Sequence, residues 1–109
     1  MDSRYLQRVQ SVKNQLIQQI KPNDVAAKLW AQNVLTKREK DRLLQLQVRE
    51  GNESHNASLF EVLETKPEGL NVWEKVVAVL EDTGNKKAAH TIQHDIGDDG
   101  KTFFAVILN

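Results

Sequence analysis

Six short segments of this chain carry apolar residues at intervals of three and four, the spacing that places side chains on one face of an α-helix. Pro22, Gly51, Pro67 and Gly84 fall between segments. Proline removes a backbone donor and ends a helix, and glycine favours turns. Short amphipathic helices bury their apolar faces only by packing on one another. The sequence therefore predicts an all-α, six-helix antiparallel bundle.

The first three predicted helices cover residues 3–20, residues 23–33 and the segment from Thr36 to the polar stretch 49–52. Glu39 stands three residues after Thr36, which predicts a capping box at the start of the third helix. The residues predicted to face the core are Leu6, Val9, Val12, Leu16, Ile20, Val25, Leu29, Trp30, Leu43, Leu44 and Leu46.

The last three helices are predicted from Asn52 or Ser54 to Pro67, from 68–69 to 82–84, and over 86–94 with Asn85 as the cap. Trp73, like Trp30, continues an apolar stripe, which favours the core over an exposed anchor. Short connections predict antiparallel neighbours, as in an up-and-down bundle. The other residues predicted to face the core are Leu59, Phe60, Val62, Leu63, Leu70, Val76, Val77, Leu80, Ala88, Ala89 and Ile92.

The C-terminal segment departs from the helical pattern. Residues 103–108 are apolar without interruption and rich in aromatic and β-branched side chains, which predicts a strand. Two interpretations remain open: the strand packs on the bundle, or it opens a following domain. We therefore expect a helical domain over residues 1–96 and a tail, or the start of a following region, over residues 97–109.

Length and composition limit the remaining possibilities. A chain of 109 residues has room for one core, and without cysteine it forms neither a disulfide nor a cysteine zinc site. The N-terminus lacks the apolar run of a signal peptide, and nowhere do about 18 apolar residues follow one another. We expect a cytoplasmic domain that does not interact with membranes.

No pattern of residues indicates catalysis or a cofactor. His90 and His94 are spaced to share one helix face, but a metal site needs at least a third ligand. The Gly100-Lys101-Thr102 sequence lacks the spacing and the preceding strand of a phosphate-binding loop. We expect no enzyme, no metal and no cofactor.

Charge is divided between the two halves of the chain. Residues 1–49 contain ten Lys/Arg and four Asp/Glu (+6), whereas residues 50–109 contain five and eleven (−6). A neutral domain with opposite poles can stack on copies of itself, although a charged helix face is often only solvated. The candidate basic face is Lys37, Arg38, Lys40 and Arg42, and the candidate acids are Glu53, Glu61, Glu64, Glu68, Glu74, Glu81 and Asp82.

Four stretches resemble the caspase recruitment domain (CARD) family of the death-fold superfamily: Leu16–Ile20, Leu29–Thr36, Ser58–Thr65 and Val76–Gly84. They are most similar in motif to the prodomains of apoptosome-type initiator caspases, and the resemblance covers roughly residues 3–94. It implies a Greek-key-like six-helix fold. It also implies homotypic assembly, often as helical filaments, that recruits an effector such as a caspase to apoptotic or inflammatory complexes, including inflammasomes.

The resemblance also implies particular contact residues. Lys13 falls at a basic position of the first helix in the caspase pattern, with Arg8 nearby. The positions of the fourth helix that are basic in that pattern hold Glu53 and Ala57, and the third helix is basic instead of acidic. We therefore expect binding to another CARD protein, or to a second copy, through a rearranged set of charges. The predicted binding residues are Arg8, Lys13, Lys37, Arg38, Lys40, Arg42, Glu53, Glu61 and Glu64.

Two alternative functions fit parts of the same sequence. Residues 35–46 resemble the opening of a helix-turn-helix DNA-binding module, in which the following helix contacts phosphates and bases. Here the downstream helices carry glutamates that repel DNA, so binding to nucleic acid is disfavoured. A monomeric regulatory decoy of the CARD fold is the other alternative, and it leaves no mark in a sequence.

Overall fold

The computed structural model describes residues 3–67 and 71–93, and every regular element in these ranges is a helix. The helices are α1 (Ser3–Gln19), α2 (Val25–Ala31), α3 (Lys37–Glu50), α4 (Asn52–Glu64), α5 (Val72–Asp82) and α6 (Lys86–Gln93). The prediction of an all-α, six-helix fold is confirmed. The predicted strand at 103–108 and the predicted start of the fifth helix at 68–69 lie outside the described residues.

The helices form a ring in which neighbours in space are not always neighbours in sequence. α1 packs mainly on α4 and α6, and α2 packs mainly on α3 and α5. The α3–α4 and α5–α6 pairs close the ring. A strict up-and-down order, in which α1 lies beside α2, is therefore wrong for this chain, and the order has the Greek-key character.

Most of the residues predicted to face the core are buried there or packed against it, whereas Leu6, Leu44 and Leu46 are half-buried outside the core cluster and Leu70 lies outside the described residues. Leu16, Leu29 and Phe60 are fully buried, as are one or more apolar residues of every other described helix. The Phe60 ring stacks on the half-buried Trp73 with centroids 6.4 Å apart. Aromatic and aliphatic burial of this kind supplies the main favourable free energy of folding.

Trp30 does not belong to this core, and its predicted inward position is wrong. α2 has seven residues, and its buried face is formed by Val25, Ala26 and Leu29. Trp30 lies beside that face with 42% of its surface exposed, and the Lys40 ammonium sits 4.3 Å from its ring centroid. A cation over an indole face is an attractive contact, so the exposed ring is partly covered from within the chain.

The α3–α4 junction confirms one predicted cap and corrects another. Thr36 and Glu39 form the capping box, with each side chain accepting from the other residue's backbone N–H. α4, however, begins directly at Asn52, so neither Asn52 nor Ser54 is its cap. The single residue between the helices is Gly51, whose φ of 100° and ψ of −178° lie in a region open essentially to glycine alone.

Two buried asparagines hold the C-terminal end of α1. The Asn56 amide nitrogen on α4 donates to the carbonyls of Ile17 and Ile20, each at 2.9 Å. Asn85, just before α6, donates to the Lys21 carbonyl at 2.9 Å and accepts from the Lys21 N–H at 2.8 Å. The last carbonyls of a helix have no partner within the helix. These two amides satisfy them and join α1 to α4 and α6.

His55, next to Asn56, is the other fully buried polar residue of α4. Its Nδ1 lies 3.0 Å from Oδ1 of Asn56. Because the Asn56 amide nitrogen donates to α1, Oδ1 is the acceptor, which assigns the proton of a neutral ring to Nδ1. Burial lowers the pKa of His55, and the hydrogen bond to Asn56 opposes this only in part.

Replacement of Asn56 by alanine should destabilise the fold by about 2–4 kcal/mol, because two carbonyls at the end of α1 lose their donor. Asn52→Ala, on the exposed side of the same helix, is the matched control and should change stability by less than about 0.5 kcal/mol. Urea denaturation followed by circular dichroism measures both. Equal effects would show that the Asn56 bonds do not hold α1.

Stability should fall as the pH is lowered from about 7.5 to about 5.5, with a slope of at most about 1.4 kcal/mol per pH unit from His55. The pKa of His55 is lower in the folded chain than in the unfolded chain. Below about pH 6.5 the unfolded state therefore binds more protons and is favoured.

The variant His55→Leu isolates this effect, because its dependence on pH should be clearly flatter than that of the parent chain, whatever its absolute stability. Urea midpoints at several pH values give the comparison. A slope that survives the substitution would assign the dependence to other groups.

Candidate protein-interaction surface

The outward side of α3 carries basic side chains that have no ion pair within the described part of the chain. Lys37, Arg38 and Arg42 are exposed, and they line a shallow groove with Asp41 and Gln45. Arg38 and Arg42 are four residues apart, so they lie on one face. We call the residues Lys37, Arg38, Arg42, Leu44, Gln45, Val48 and Arg49 the outer α3 face.

Lys40, predicted for the same surface, is placed differently. Its side chain is 14% exposed, pairs with Asp41 at 3.1 Å and covers the Trp30 ring. The helical turn puts it toward α2, whereas Arg38 and Arg42 point to solvent. Lys40 therefore joins α3 to α2 rather than presenting a free charge.

The second half of the outer α3 face is apolar, and the sequence analysis missed it. Leu44, Gln45, Val48 and Arg49 line one open groove. Val48 is 87% exposed, and Leu44 is half-buried rather than in the core. One feature of the sequence indicated this surface. Val48 lies outside the buried stripe of α3 and four residues after Leu44, so the two apolar side chains share one face of the helix.

Arg8, Lys13 and Glu64, also predicted to bind a partner, interact with other parts of their own chain. The Lys13 ammonium lies 2.9 Å from one Glu64 carboxylate oxygen and 3.2 Å from the other, which joins α1 to α4. The Arg8 Nε donates to the Thr91 carbonyl at 3.0 Å, which joins α1 to α6. These charged side chains mainly make contacts between helices of their own chain.

Two acids on α4 remain exposed. Glu53 and Glu61 have no ion pair or hydrogen bond within the described residues, and they lie on the side of α4 that faces away from the core. Glu74 and Glu81 of α5 are exposed as well. Glu68 lies outside the described residues.

Other charges of the two halves pair across the bundle. Lys28 and Asp82 are 2.8 Å apart, and this contact raises the pKa of Lys28. Lys66 and Glu39 are 2.6 Å apart. Burial by itself raises the pKa of Glu39, but hydrogen bonds from Lys66 and from the Thr36 backbone outweigh it, so the pKa of Glu39 is lowered.

The charge separation seen along the sequence is therefore reduced in the structure. Contacts such as Lys13–Glu64, Lys28–Asp82 and Lys66–Glu39 each join a residue of the first half to a residue of the second. The charges without an ion pair in the described residues include the basic part of the outer α3 face, the acids Glu53 and Glu61 on α4, and the acids Glu74 and Glu81 on α5. These are the surfaces available for a partner.

Within residues 3–67 and 71–93, no group of three side chains is arranged to hold a metal ion. His90 is in α6, and His94, its predicted companion, lies outside the described residues. Among the helices described, none combines the length and the apolar character needed to cross a membrane.

A family model described as a caspase recruitment domain matches residues 1–96, which is most of the chain. The chain belongs to the caspase recruitment domain family. No curated protein and no solved structure matches it significantly. The six-helix ring is thus a death fold, and a CARD is a protein–protein interaction module in signalling that contacts other CARD proteins.

Membership of this family also bears on the helix-turn-helix alternative. In that module the helix after α3 would enter the DNA groove. In this CARD that helix is α4, and its exposed side carries Glu53 and Glu61. Carboxylates at that position oppose the phosphate backbone, so this helix is unsuited to a DNA groove.

A double-mutant cycle can measure the contact between Lys13 and Glu64 in this CARD. The side chains are 31% and 20% exposed, so we expect a coupling of about 0.5–1 kcal/mol between Lys13→Met and Glu64→Gln. Lys13→Met paired with Glu61→Gln is the matched control, and it should show no coupling. Urea denaturation gives the free energies, and equal coupling in both cycles would contradict a specific pair.

Proposed function

We propose that this CARD assembles head-to-tail with copies of itself, or with another CARD protein, through charge contacts of the outer α3 face. The basic residues Arg38 and Arg42 of one subunit contact acids of the next, foremost Glu53 and Glu61. Assembly raises the local concentration of an attached effector such as a caspase. The setting that the family suggests is apoptotic or inflammatory signalling in the cytoplasm.

The observation that carries this proposal is the pair Arg38 and Arg42, exposed on one side of α3 without an ion pair in the described part of the chain. Many other charges of the domain have partners within the chain. A surface whose charges remain uncompensated attracts a partner of opposite sign and orients it before contact.

The energetics require several contacts at once. One exposed ion pair contributes only about 0–1 kcal/mol, so Arg38 and Arg42 alone do not sustain an assembly. Interfaces combine a polar rim with a buried apolar centre. The exposed Val48 and the half-buried Leu44 provide apolar area on the same face.

The two charged surfaces lie on different helices, and in the proposed head-to-tail contact one patch of a subunit meets the other patch of its neighbour, which makes the contact heterologous. A heterologous contact whose rotation does not close generates an open helical filament. Arg8, Lys13, Lys40 and Glu64 position the helices that carry the contact, and their direct role in binding stays a prediction.

Reversal of both arginines, in Arg38→Glu with Arg42→Glu, should abolish filaments seen by negative-stain microscopy and leave the helical circular dichroism unchanged. Both side chains are exposed, so the fold should not suffer, while two attractions become repulsions. Lys86→Glu with Lys87→Glu, on exposed positions of α6, is the control with the same change in net charge.

The control variant should assemble like the parent chain, and assembly of the parent should weaken with salt. Filaments that persist in the arginine variant would remove α3 from the mechanism. A parent chain that stays monomeric at every salt concentration, measured by light scattering, would favour the decoy. Binding of the parent chain to random duplex DNA at low salt, measured by gel shift, would favour the DNA-binding alternative.

A further inference from the structure

The apolar half of the outer α3 face has no occupant within the described residues. Val48 is 87% exposed, and Leu44 lies one turn before it. Both line one groove together with Gln45 and Arg49. Single exposed apolar residues are common on protein surfaces. Here the apolar patch continues directly into the unpaired arginines Arg38 and Arg42, which gives one face both chemistries.

The chain itself contains a segment with the complementary chemistry. Residues 103–108 read Phe-Phe-Ala-Val-Ile-Leu, and the acids Asp95, Asp98 and Asp99 precede them. The acids of this segment can pair with Arg38 and Arg42 of the outer α3 face, and its apolar run can pack on Leu44 and Val48. Two phenylalanines alone can bury about 300 Å² or more of surface when they dock.

The ring order of the helices decides whether this segment reaches its own α3. α6, which leads into the segment, packs mainly on α1 and α5, whereas α3 packs mainly on α2 and α4. The two helices therefore lie on opposite sides of the bundle. Residues 94–102 span at most about 32 Å when fully extended. To contact Leu44 and Val48 of its own subunit the segment would have to cross the bundle, whereas a second copy can present the same face to it directly.

We propose that residues 103–108 of one copy dock on the apolar half of the outer α3 face, at Leu44 and Val48, of a second copy. The acids before the segment then face Arg38 and Arg42 of that copy. The segment follows α6, which lies across the ring from α3, so one copy can donate its segment to a neighbour and receive the segment of another on its own α3 face. The contact then repeats as an open chain where the rotation does not close. This inference rests on the proposed self-assembly and adds to it an apolar contact.

Complementation between two variants of the full chain tests the contact. Val48→Glu places a charge in the apolar half of the outer α3 face and leaves the segment unchanged. Phe104→Glu with Ile107→Glu places charges in the segment and leaves the outer α3 face unchanged. Light scattering of each variant alone should give the mass of one chain, 12.4 kDa. An equal mixture should give a two-chain complex, because one intact patch and one intact segment remain.

The measurement is made at about 1 M salt, where the Debye length is about 3 Å and the ionic contact of the proposed function is screened. Gln10→Glu, at an exposed position of α1, adds the same charge as Val48→Glu and should leave the mass of the parent assembly unchanged. Circular dichroism should be alike for all variants.

Three results would overturn the inference. The variants could assemble like the parent chain, the mixed variants could remain monomeric, or the parent chain could be monomeric at every concentration. In the last case, a shift of the Val48 methyl signals on substitution of Phe104 and Ile107 would place the segment on its own subunit. Loss of assembly in the arginine variant, with no effect of Val48→Glu, would leave the proposed function standing and remove this inference alone.

Discussion

The arrangement of the helices depends on how the C-terminal end of α1 is satisfied. Pro22 stops the helix and has no N–H, and the Lys21 N–H turns to Asn85, so carbonyls of the last turn lack donors. The amides of Asn56 and Asn85 supply them from α4 and α6. A buried carbonyl without a donor is costly, so these bonds favour α4 and α6, rather than α2, as neighbours of α1.

That choice of neighbours decides which charges remain free. Because α1 lies between α4 and α6, Lys13 meets Glu64 and Arg8 meets the Thr91 carbonyl. α3 is held on its inner side by α2 and α4, through contacts such as Lys40 over Trp30. Its outer side meets no other described helix. The surface offered to a partner is therefore a consequence of the ring order.

Helical periodicity predicted much of the fold, because the apolar stripes, Pro22, Pro67 and the Thr36–Glu39 box are local signals. The ring order was not predictable in this way. Asn56 reads in the sequence as part of a glycosylation sequon, and only the fold shows that its amide is buried against α1. Trp30 directly follows the buried Leu29 in the sequence, but the buried face of α2 is formed by Val25, Ala26 and Leu29, and Trp30 lies beside it.

The net charge of each half of the sequence was a poor predictor of the charged surfaces of the folded chain. Lys13 and Glu64 are 51 positions apart and meet in space, so a segregated sequence becomes a partly neutralised surface. Arg38 and Arg42 kept their predicted exposure because helical periodicity places both on the side away from Leu43, which is buried. Position within a helix was informative, and position within a half of the chain was not.

α4 joins the interior of this CARD to its surface. One side carries His55, which contacts Asn56, and Asn56, which donates to the end of α1; the other side carries Glu53 and Glu61. A proton on His55 would place charge beside the bonds that set the position of α4 against α1. The acids are on the same helix, so the bonds from Asn56 to the end of α1 help to fix the position of the acids in the bundle. The interior polar contacts and the proposed interface are therefore linked through one helix.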